Sequence, residues 1–213
     1  MPGLLPTAPP RRPLAGWRLP ELTQLLGSRP RAVEVLHWLH RGPPYADRPN
    51  ISAASWDILS SACELPSFDV VHRTVSADGT TKFLCSFEGA EVEAVRIPAR
   101  GRSTICISSQ AGCSRTCGFC ATATLGFSRN LRAHEMVTQY MIAAQEAPSE
   151  APASNVVFMG MGEPMDNLDE VLLAVELLTQ APAPRLRAQR VTVSTTGVLP
   201  GMVRFLAESK ASL

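Results

Sequence analysis

After residue 100, short apolar segments alternate with longer segments of helical periodicity, and this alternation limits the fold more than any other feature. The pattern predicts strands at 104–108, 155–160 and 190–195, and helices at 133–145, 168–180 and 200–208. Residues 211–213 are expected to begin a fourth strand. Strands and helices that alternate in this way form parallel βα units. The second half of the chain therefore predicts an α/β fold with parallel strands.

The first half of the chain has a different pattern, in which helices precede strands. Apolar positions predict helices at 20–26, 32–39 and 56–65, and strict alternation predicts strands at 70–75, 81–87 and 91–97. Asp-Gly and Glu-Gly turn signals separate these strands, which predicts a small antiparallel sheet. We therefore expect an N-terminal domain over 17–100 and a core over 101–213. The proline-rich residues 1–16 are expected to form a disordered tail.

The loop after the first predicted core strand carries three closely spaced cysteines. Cys113, Cys117 and Cys120 form a C-x3-C-x2-C run. Three thiolates from one loop can bind three irons of a 4Fe–4S cube and leave the fourth iron open to a small molecule. S-adenosylmethionine (SAM) that chelates this iron through its amino and carboxylate groups gives the radical-SAM arrangement, in which the cluster passes one electron to the sulfonium.

Two other roles for these cysteines are weaker. A structural zinc site needs a fourth ligand, for which Cys106 and His134 are candidates, and such sites usually pair two C-x2-C knuckles. A disulfide framework is typical of small secreted domains, and a 213-residue chain with no visible secretion signal is a poor match. The spacing favours the cluster over both alternatives.

Two further loops follow predicted core strands. In Met-Gly-Met-Gly-Glu-Pro at 159–164, the glycines allow close backbone approach, and Glu163 can accept a hydrogen bond from an ammonium such as that of SAM. Ser194 and its neighbours at 195–197 offer hydroxyls for a ribose or a carboxylate. Each loop alone is equally compatible with a turn or a helix start. Three loops at the same ends of successive strands predict one ligand site, because ligands of parallel α/β folds bind at this edge.

Charge is segregated along the chain although its sum is small. The formal net charge is +1, yet residues 96–132 contain six arginines and no acid, and residues 133–180 contain eight acids and no lysine or arginine. This pattern favours a positive surface that meets a phosphate backbone, or arginines that are simply solvated. With no run of about 18 apolar residues and no convincing targeting segment, we expect a cytoplasmic protein without membrane contact.

Several motifs together resemble the RlmN/Cfr family of radical-SAM RNA methyltransferases. They are Cys-Ile-Ser-Ser-Gln-Ala-Gly-Cys at 106–113, the cysteine run, and the segments 126–131, 159–164 and 190–197. Segments 31–40 and 92–98 resemble the accessory domain of that family. The resemblance runs from about residue 17 to residue 213. It implies an α/β chain with an N-terminal helical accessory domain and small antiparallel sheet, followed by a partial radical-SAM (β/α) barrel.

The resemblance implies methylation of an adenine at carbon 2 in 23S rRNA and, for RlmN, also in tRNA. Members of the family place a methyl group on a cysteine, convert it to a methylene radical and add that radical to the ring. An external one-electron reductant of the flavodoxin kind is implied as a partner.

Family roles transfer to individual residues of this chain. The resemblance implies that the 4Fe–4S cluster is bound by Cys113, Cys117 and Cys120. It implies that SAM is contacted by Gly162, Glu163 and Ser194. Glu93 matches the proton acceptor, and Cys106 matches the thiol that resolves the protein–RNA adduct by forming a disulfide. Without the resemblance, the sequence is equally compatible with Glu93 as a solvent-facing strand residue and with Cys106 as a small buried hydrophobic residue.

The chain departs from the family at the methyl-carrying cysteine, which lies in a C-terminal segment of the family beyond residue 213. Neither Cys63 nor Cys85 matches its position. We therefore expect an incomplete and inactive fragment of such a methyltransferase. The alternatives are another radical-SAM enzyme and a non-catalytic Fe–S or RNA-binding remnant.

Overall fold

The computed structural model describes residues 11–42, 45, 47–65, 69–184 and 186–213. Within these ranges the α-helices are α1 (Leu19–Leu26), α2 (Arg29–Arg41), α3 (Ala53–Ala62), α4 (Ala133–Gln145), α5 (Leu168–Thr179) and α6 (Leu199–Glu208). The strands are β1 (Arg12–Pro13), β2 (Cys63–Glu64), β3 (Asp69–Val75), β4 (Thr81–Phe87), β5 (Ala90–Ala99), β6 (Arg102–Cys106), β7 (Gln110–Gly112), β8 (Phe127–Asn130), β9 (Ala153–Phe158) and β10 (Val191–Val193). None of the helices in the described ranges is long and apolar enough to cross a bilayer.

One six-stranded sheet organises the molecule, in the order β10-β9-β6-β5-β4-β3. Strands β6, β9 and β10 are parallel, whereas β3 to β6 form an antiparallel meander. The predicted α/β class, with parallel core strands and a small antiparallel sheet before them, is confirmed. Both parts share this sheet, and the predicted domain boundary near residue 100 falls in the turn that joins β5 to β6, where Ala99 pairs with Arg102.

The two faces of the sheet differ in how well they are covered. On one face, alternate side chains such as Phe83, Val92 and Ile105 are buried in the core beneath α4. On the other face, side chains of the same strands, such as Glu91 and Glu93, are exposed or half-buried. The second face is therefore open among the described residues, as the inner wall of an unclosed barrel would be.

Helix α2 places its apolar stripe against α1 and α4. The predicted stripe is buried, at Ala32, Val35, Leu36, Trp38 and Leu39. Trp38 also packs against Tyr45, with ring centroids 4.6 Å apart, and meets Trp56 edge-on at 6.0 Å. The helical N-terminal part is thus attached to the core and not separated from it.

The prediction of a disordered tail over 1–16 was wrong for its last residues. Residues 1–10 lie outside the described ranges, but Arg12 and Pro13 pair with β2 and Leu14 is fully buried. The Arg12 guanidinium also lies 2.8 Å from the Glu21 carboxylate. Burial of Leu14 and Ala15 against α4 offsets the entropy cost of ordering this segment.

Candidate functional site

The loop ends of the parallel strands enclose a pocket of about 250 Å³. Six of the eight predicted site residues line it, namely Cys113, Cys117, Cys120, Gly162, Glu163 and Ser194. The aromatic ring of Phe119 stands at the same pocket and is almost fully exposed. The three loops predicted to form one site therefore do meet.

A short hairpin that the sequence did not predict closes the cysteine loop. Strands β7 and β8 pair antiparallel, and the Cys113 backbone N–H donates to the Gly126 carbonyl oxygen at 2.9 Å. Gly112 has φ +73°, and a Cβ there would lie 1.8 Å from the Gly126 oxygen, so only glycine fits. The hairpin holds residues 113–126 as one loop, which we call the cluster loop.

The cysteines of the cluster loop suit thiolate ligands. All three are half-buried free thiols. Hydrogen bonds from the backbone and side chain of Thr122 hold the pKa of Cys120 below its usual value. The Arg115 backbone N–H donates a hydrogen bond to the Cys113 sulfur at 3.4 Å. Backbone donors aimed at sulfur are the surroundings in which thiolates bind iron.

The donor set fits a three-cysteine cluster better than a single zinc ion. Among the described residues, no three His, Cys, Asp or Glu side chains are arranged to hold one metal ion. The candidate fourth zinc ligands are elsewhere: His134 lines a different pocket, and Cys106 does not line this one. Cysteines that each bind a different iron of a cube need not converge on one point, so their arrangement is compatible with a cluster.

Glu163 is buried at the back of the pocket, and its carboxylate is already bonded within the chain. One oxygen accepts a hydrogen bond from the Met165 N–H at 2.9 Å. The other accepts from the Thr196 N–H at 2.7 Å and from the Thr196 hydroxyl at 2.9 Å. A carboxylate has about four lone-pair directions, so one remains for a ligand ammonium. Glu163 thus joins the loop after β9 to the loop after β10.

Gly162 provides the close approach that the sequence suggested, but to a protein neighbour. It has φ +100°, and a Cβ there would lie 2.6 Å from the backbone nitrogen of Gln110.

Ser194 is half-buried at the end of β10, where its N–H donates to the Phe158 carbonyl oxygen. Ser194 forms part of the pocket wall.

Glu93 and Cys106 are not in the pocket, although they lie on the open face of the sheet that leads to it. Glu93 makes an exposed ion pair with Lys82 at 2.7 Å. Cys106 pairs in register with Val95 and Val157. Burial raises the pKa of the Cys106 thiol. A hydrogen bond with the backbone of Met159, which is a pocket residue, lowers that pKa in part. Cys106 therefore adjoins the pocket. Glu93 lies on the neighbouring strand β5, where its carbonyl oxygen accepts a hydrogen bond from the Ser108 hydroxyl at 2.6 Å.

Sequence reasoning missed a group of polar residues that connects the loops. The Asp166 carboxylate accepts hydrogen bonds from Arg115 and Ser114 of the cluster loop. Gln110, which is 1% exposed, contacts both the cluster loop and the loop between β9 and α5 at 159–167, which we call the Glu163 loop. A signal was present, since Ser108-Ser109-Gln110 places three polar residues directly after an apolar strand.

Comparison with known proteins agrees with this geometry. The radical SAM superfamily profile matches residues 107–213. A dual-specificity RNA methyltransferase RlmN of Alkalilimnicola ehrlichii is 41% identical over 88% of this chain, and one of Methylobacterium radiotolerans is 39% identical over all of it. The chain belongs to the radical SAM superfamily, and its similarity is to RlmN members of that superfamily.

A solved structure of this superfamily has the same fold. The crystal structure of a radical SAM methyltransferase from Sphaerobacter thermophilus superposes with a TM-score of 0.85 at 32% identity over 94% of this chain. The chain spans 54% and 59% of the lengths of the two RlmN relatives, and 62% of the Sphaerobacter chain. The observed fold is thus a partial radical-SAM fold, and the implied cofactors are SAM and an Fe–S cluster.

Proposed function

We propose that the pocket holds a 4Fe–4S cluster and SAM, and that the chain serves the methylation of adenine carbon 2 in 23S rRNA and tRNA. The observation that carries the proposal is the convergence of three cysteines, Glu163 and Ser194 on one pocket at the ends of parallel strands. The relatives are named as RNA methyltransferases, which supports RNA as the substrate class.

In this proposal the residues of the chain bind and orient the cofactors. The cysteines supply three thiolates, Glu163 accepts a hydrogen bond from the amino group of SAM, and Ser194 binds its carboxylate or ribose. Hydrogen bonds from Met165 and Thr196 hold the Glu163 carboxylate in place before SAM arrives. When bound, the cluster and SAM supply the one-electron chemistry that generates a carbon radical, with electrons from an external flavodoxin-like reductant.

The open face of the sheet is the proposed path for the RNA base. Glu93 and Cys106 lie on this face, where Glu93 would accept a proton and Cys106 would resolve a protein–RNA adduct. Exposed Arg100 and Arg102, at the turn between β5 and β6, are available for phosphate. Two other arginines of the basic segment are engaged within the protein, since Arg115 pairs with Asp166 and Arg129 pairs with Glu135 at 2.7 Å.

Methyl transfer in this proposal needs a cysteine that these 213 residues do not supply. Three cysteines line the pocket, and Cys106 is assigned the resolving role. Burial raises the pKa of Cys63 and of Cys85 to about 12, and both thiols are buried in the core. Neither is placed to accept a methyl group from SAM, so we infer that this chain alone does not methylate RNA.

The cluster assignment is tested by iron content after anaerobic reconstitution. The chain should bind about four irons, and Cys113→Ala, Cys117→Ala or Cys120→Ala should each abolish that stoichiometry. Cys63→Ala is the matched control, because it removes a buried thiol outside the pocket. Full iron content in a pocket variant, or tight zinc in its place, would contradict the assignment.

The RNA assignment is tested by mass spectrometry of adenosines from treated RNA. The reconstituted chain, with reductant and SAM, should yield no 2-methyladenosine, whereas a fusion to the remaining C-terminal part of the Alkalilimnicola relative should yield it. Product from the 213 residues alone would show that another residue carries the methyl group. A fusion that cleaves SAM but never methylates RNA would favour a different radical-SAM reaction.

A further inference from the structure

Gln110 is a buried amide that none of the proposed cofactor contacts uses. It is the first residue of β7, the short strand that leads into the cluster loop, and is 1% exposed. Its Oε1 accepts hydrogen bonds from the backbone N–H of Glu163 at 3.0 Å and from that of Ser114 at 3.2 Å. Its Nε2 donates to Asn130 Oδ1 at 2.8 Å. One side chain thus contacts three separate segments around the pocket.

The orientation of this amide is fixed by chemistry. Backbone N–H groups can only donate, so the oxygen of Gln110 must face Glu163 and Ser114, and its nitrogen must face Asn130. Asn130 must then present its oxygen to Gln110 and its nitrogen to the Asp166 carbonyl oxygen, 3.4 Å away. The Asp166 N–H in turn donates to the Glu163 carbonyl oxygen at 3.1 Å.

These hydrogen bonds form a closed circuit in which every donor points the same way. The order is Glu163, Gln110, Asn130, Asp166 and back to Glu163. Hydrogen bonds that follow one another in this way polarise each other. The bond from Glu163 to Gln110 is buried, whereas Asn130 and its bond to Asp166 are exposed. The circuit joins the Glu163 loop to β8, which ends the cluster loop.

A second set of contacts extends this link to the residues between the first two cysteines. The Ser114 hydroxyl lies 3.3 Å from Gln110 Oε1 and also bonds to Asp166. The Arg115 Nε donates to Asp166 at 2.8 Å. The cluster loop is therefore held against the Glu163 loop through the side chains of Ser114 and Arg115.

We propose that Gln110 is a positioning residue for the SAM reaction, which fixes the cluster loop relative to the loop that carries Glu163. The inference rests on the proposed function, because it matters only if the two loops hold the cluster and SAM. SAM is proposed to bridge them, through the open iron on one side and Glu163 on the other. A change in their relative position would weaken SAM binding without removing any cysteine.

The test compares Gln110→Met with a matched control, Gln139→Met. Gln139 is also a fully buried glutamine that bonds to backbone, namely to Ser108 at 2.8 and 3.1 Å, but its amide contacts neither loop. Three quantities are measured for each reconstituted variant: iron content, the unfolding temperature, and SAM affinity from titration of the reduced cluster's EPR signal.

Gln110→Met should keep the iron content of the parent chain and bind SAM at least tenfold more weakly. Gln139→Met should lower the unfolding temperature but bind SAM within twofold of the parent. Parent-like SAM affinity in Gln110→Met, or equal weakening in both variants, would overturn the inference. Loss of iron from Gln110→Met alone would also overturn it, because the residue would then form the cluster site and not align it.

Gln110→Asn is the second variant, for use if Gln110→Met does not fold. It keeps the polar head but is one methylene shorter, so it cannot reach the Glu163 loop and Asn130 together. We expect SAM binding weaker than in the parent, and unchanged affinity would again overturn the inference. If the parent chain binds no cluster, the proposed function fails and this inference fails with it. If the parent chain binds cluster and SAM but Gln110→Met binds SAM equally well, only this inference fails.

Discussion

Glu163 is a buried residue that joins two loops and is also the proposed partner of the SAM amino group. Its carboxylate accepts three hydrogen bonds from Met165 and Thr196 and is 2% exposed. The sequence motif suggested a ligand contact, and nothing in it indicated the bond to Thr196, which lies 33 positions further on. Long-range partners of this kind arise from the fold, so a single motif cannot predict them.

Glu163→Gln should therefore lower both stability and SAM affinity. A neutral amide can turn only one oxygen toward these donors, and its NH₂ would face a backbone N–H, so the free energy of unfolding should fall by about 1–3 kcal/mol. SAM binding should weaken by a further ~1.5–3 kcal/mol, the range for a hydrogen bond to a charged group. Denaturant unfolding and EPR titration measure the two effects separately.

Thr196→Val provides the comparison for this substitution. It removes one hydroxyl donor but keeps the carboxylate and its hydrogen bond from the Thr196 N–H. Stability should fall by about 0.5–1.5 kcal/mol, and SAM affinity should fall less than in Glu163→Gln. If Glu163→Gln destabilises the protein yet binds SAM like the parent, Glu163 is a structural residue that joins two loops and no more.

At the scale of elements, the sequence predicted regular segments well and the cluster-loop hairpin not at all. Helix α4 begins and ends as predicted because its apolar stripe is long and continuous. Strands β7 and β8 escaped prediction because they have three and four residues, and one reads Phe-Ser-Arg-Asn without alternation. Their pairing joins Gln110 to Asn130 across the whole loop, which no local pattern can indicate.

Helix α6 approaches the Glu163 loop through a glycine, and this contact is testable. A Cβ at Gly201 would lie 2.7 Å from the Cβ of Met165, which cannot move aside like the end of a flexible side chain. Gly201→Ala improves helix propensity by about 1 kcal/mol. Overpacking should outweigh this gain and leave a net loss of about 1–2 kcal/mol in the free energy of unfolding.

The same substitution in a Met165→Gly background should be less harmful, since glycine lacks the colliding Cβ. A double-mutant cycle from denaturant unfolding measures this coupling. Equal losses in both backgrounds would show that α6 does not press on Met165.

The packing of α2 on the core predicts a pH dependence of stability. Burial lowers the pKa of His40 to about 4, and His37 adds to the effect. The pocket that His40 lines also contains Glu34, Arg41 and Tyr140. In the unfolded chain His40 takes up its proton near pH 6.5, whereas in the folded protein it does so only near pH 4. The stability that neutral His40 contributes is therefore complete above pH 6.5 and is lost as the pH falls toward 4.

His40→Phe should therefore flatten the stability profile between pH 7 and pH 5. The His40 contribution to that slope is on the order of 2 kcal/mol. Urea unfolding at each pH measures it, with His72→Gln on exposed β3 as the control. An unchanged slope in His40→Phe would mean that His40 can take up a proton in the folded protein.

For the whole molecule, one sheet carries both the N-terminal meander and the parallel strands of the core. The sequence predicted both parts, but not that β5 and β6 pair across the predicted boundary, because strand order depends on long-range contacts. Ser212 makes a parallel bridge to Thr192, as expected of a following strand. The sheet thereby brings three loops to one edge: the cluster loop, the Glu163 loop and the loop after β10, which begins at Ser194.

The most direct test of this account is the EPR spectrum of the reduced, reconstituted chain with and without SAM. If three cysteines hold the cube and leave one iron open near Glu163, saturating SAM should change the cluster signal, because SAM would then bind that iron. Cys117→Ala should give no such signal under the same conditions. A cluster spectrum that stays the same at saturating SAM would contradict the shared cluster and SAM site on which the proposed function depends.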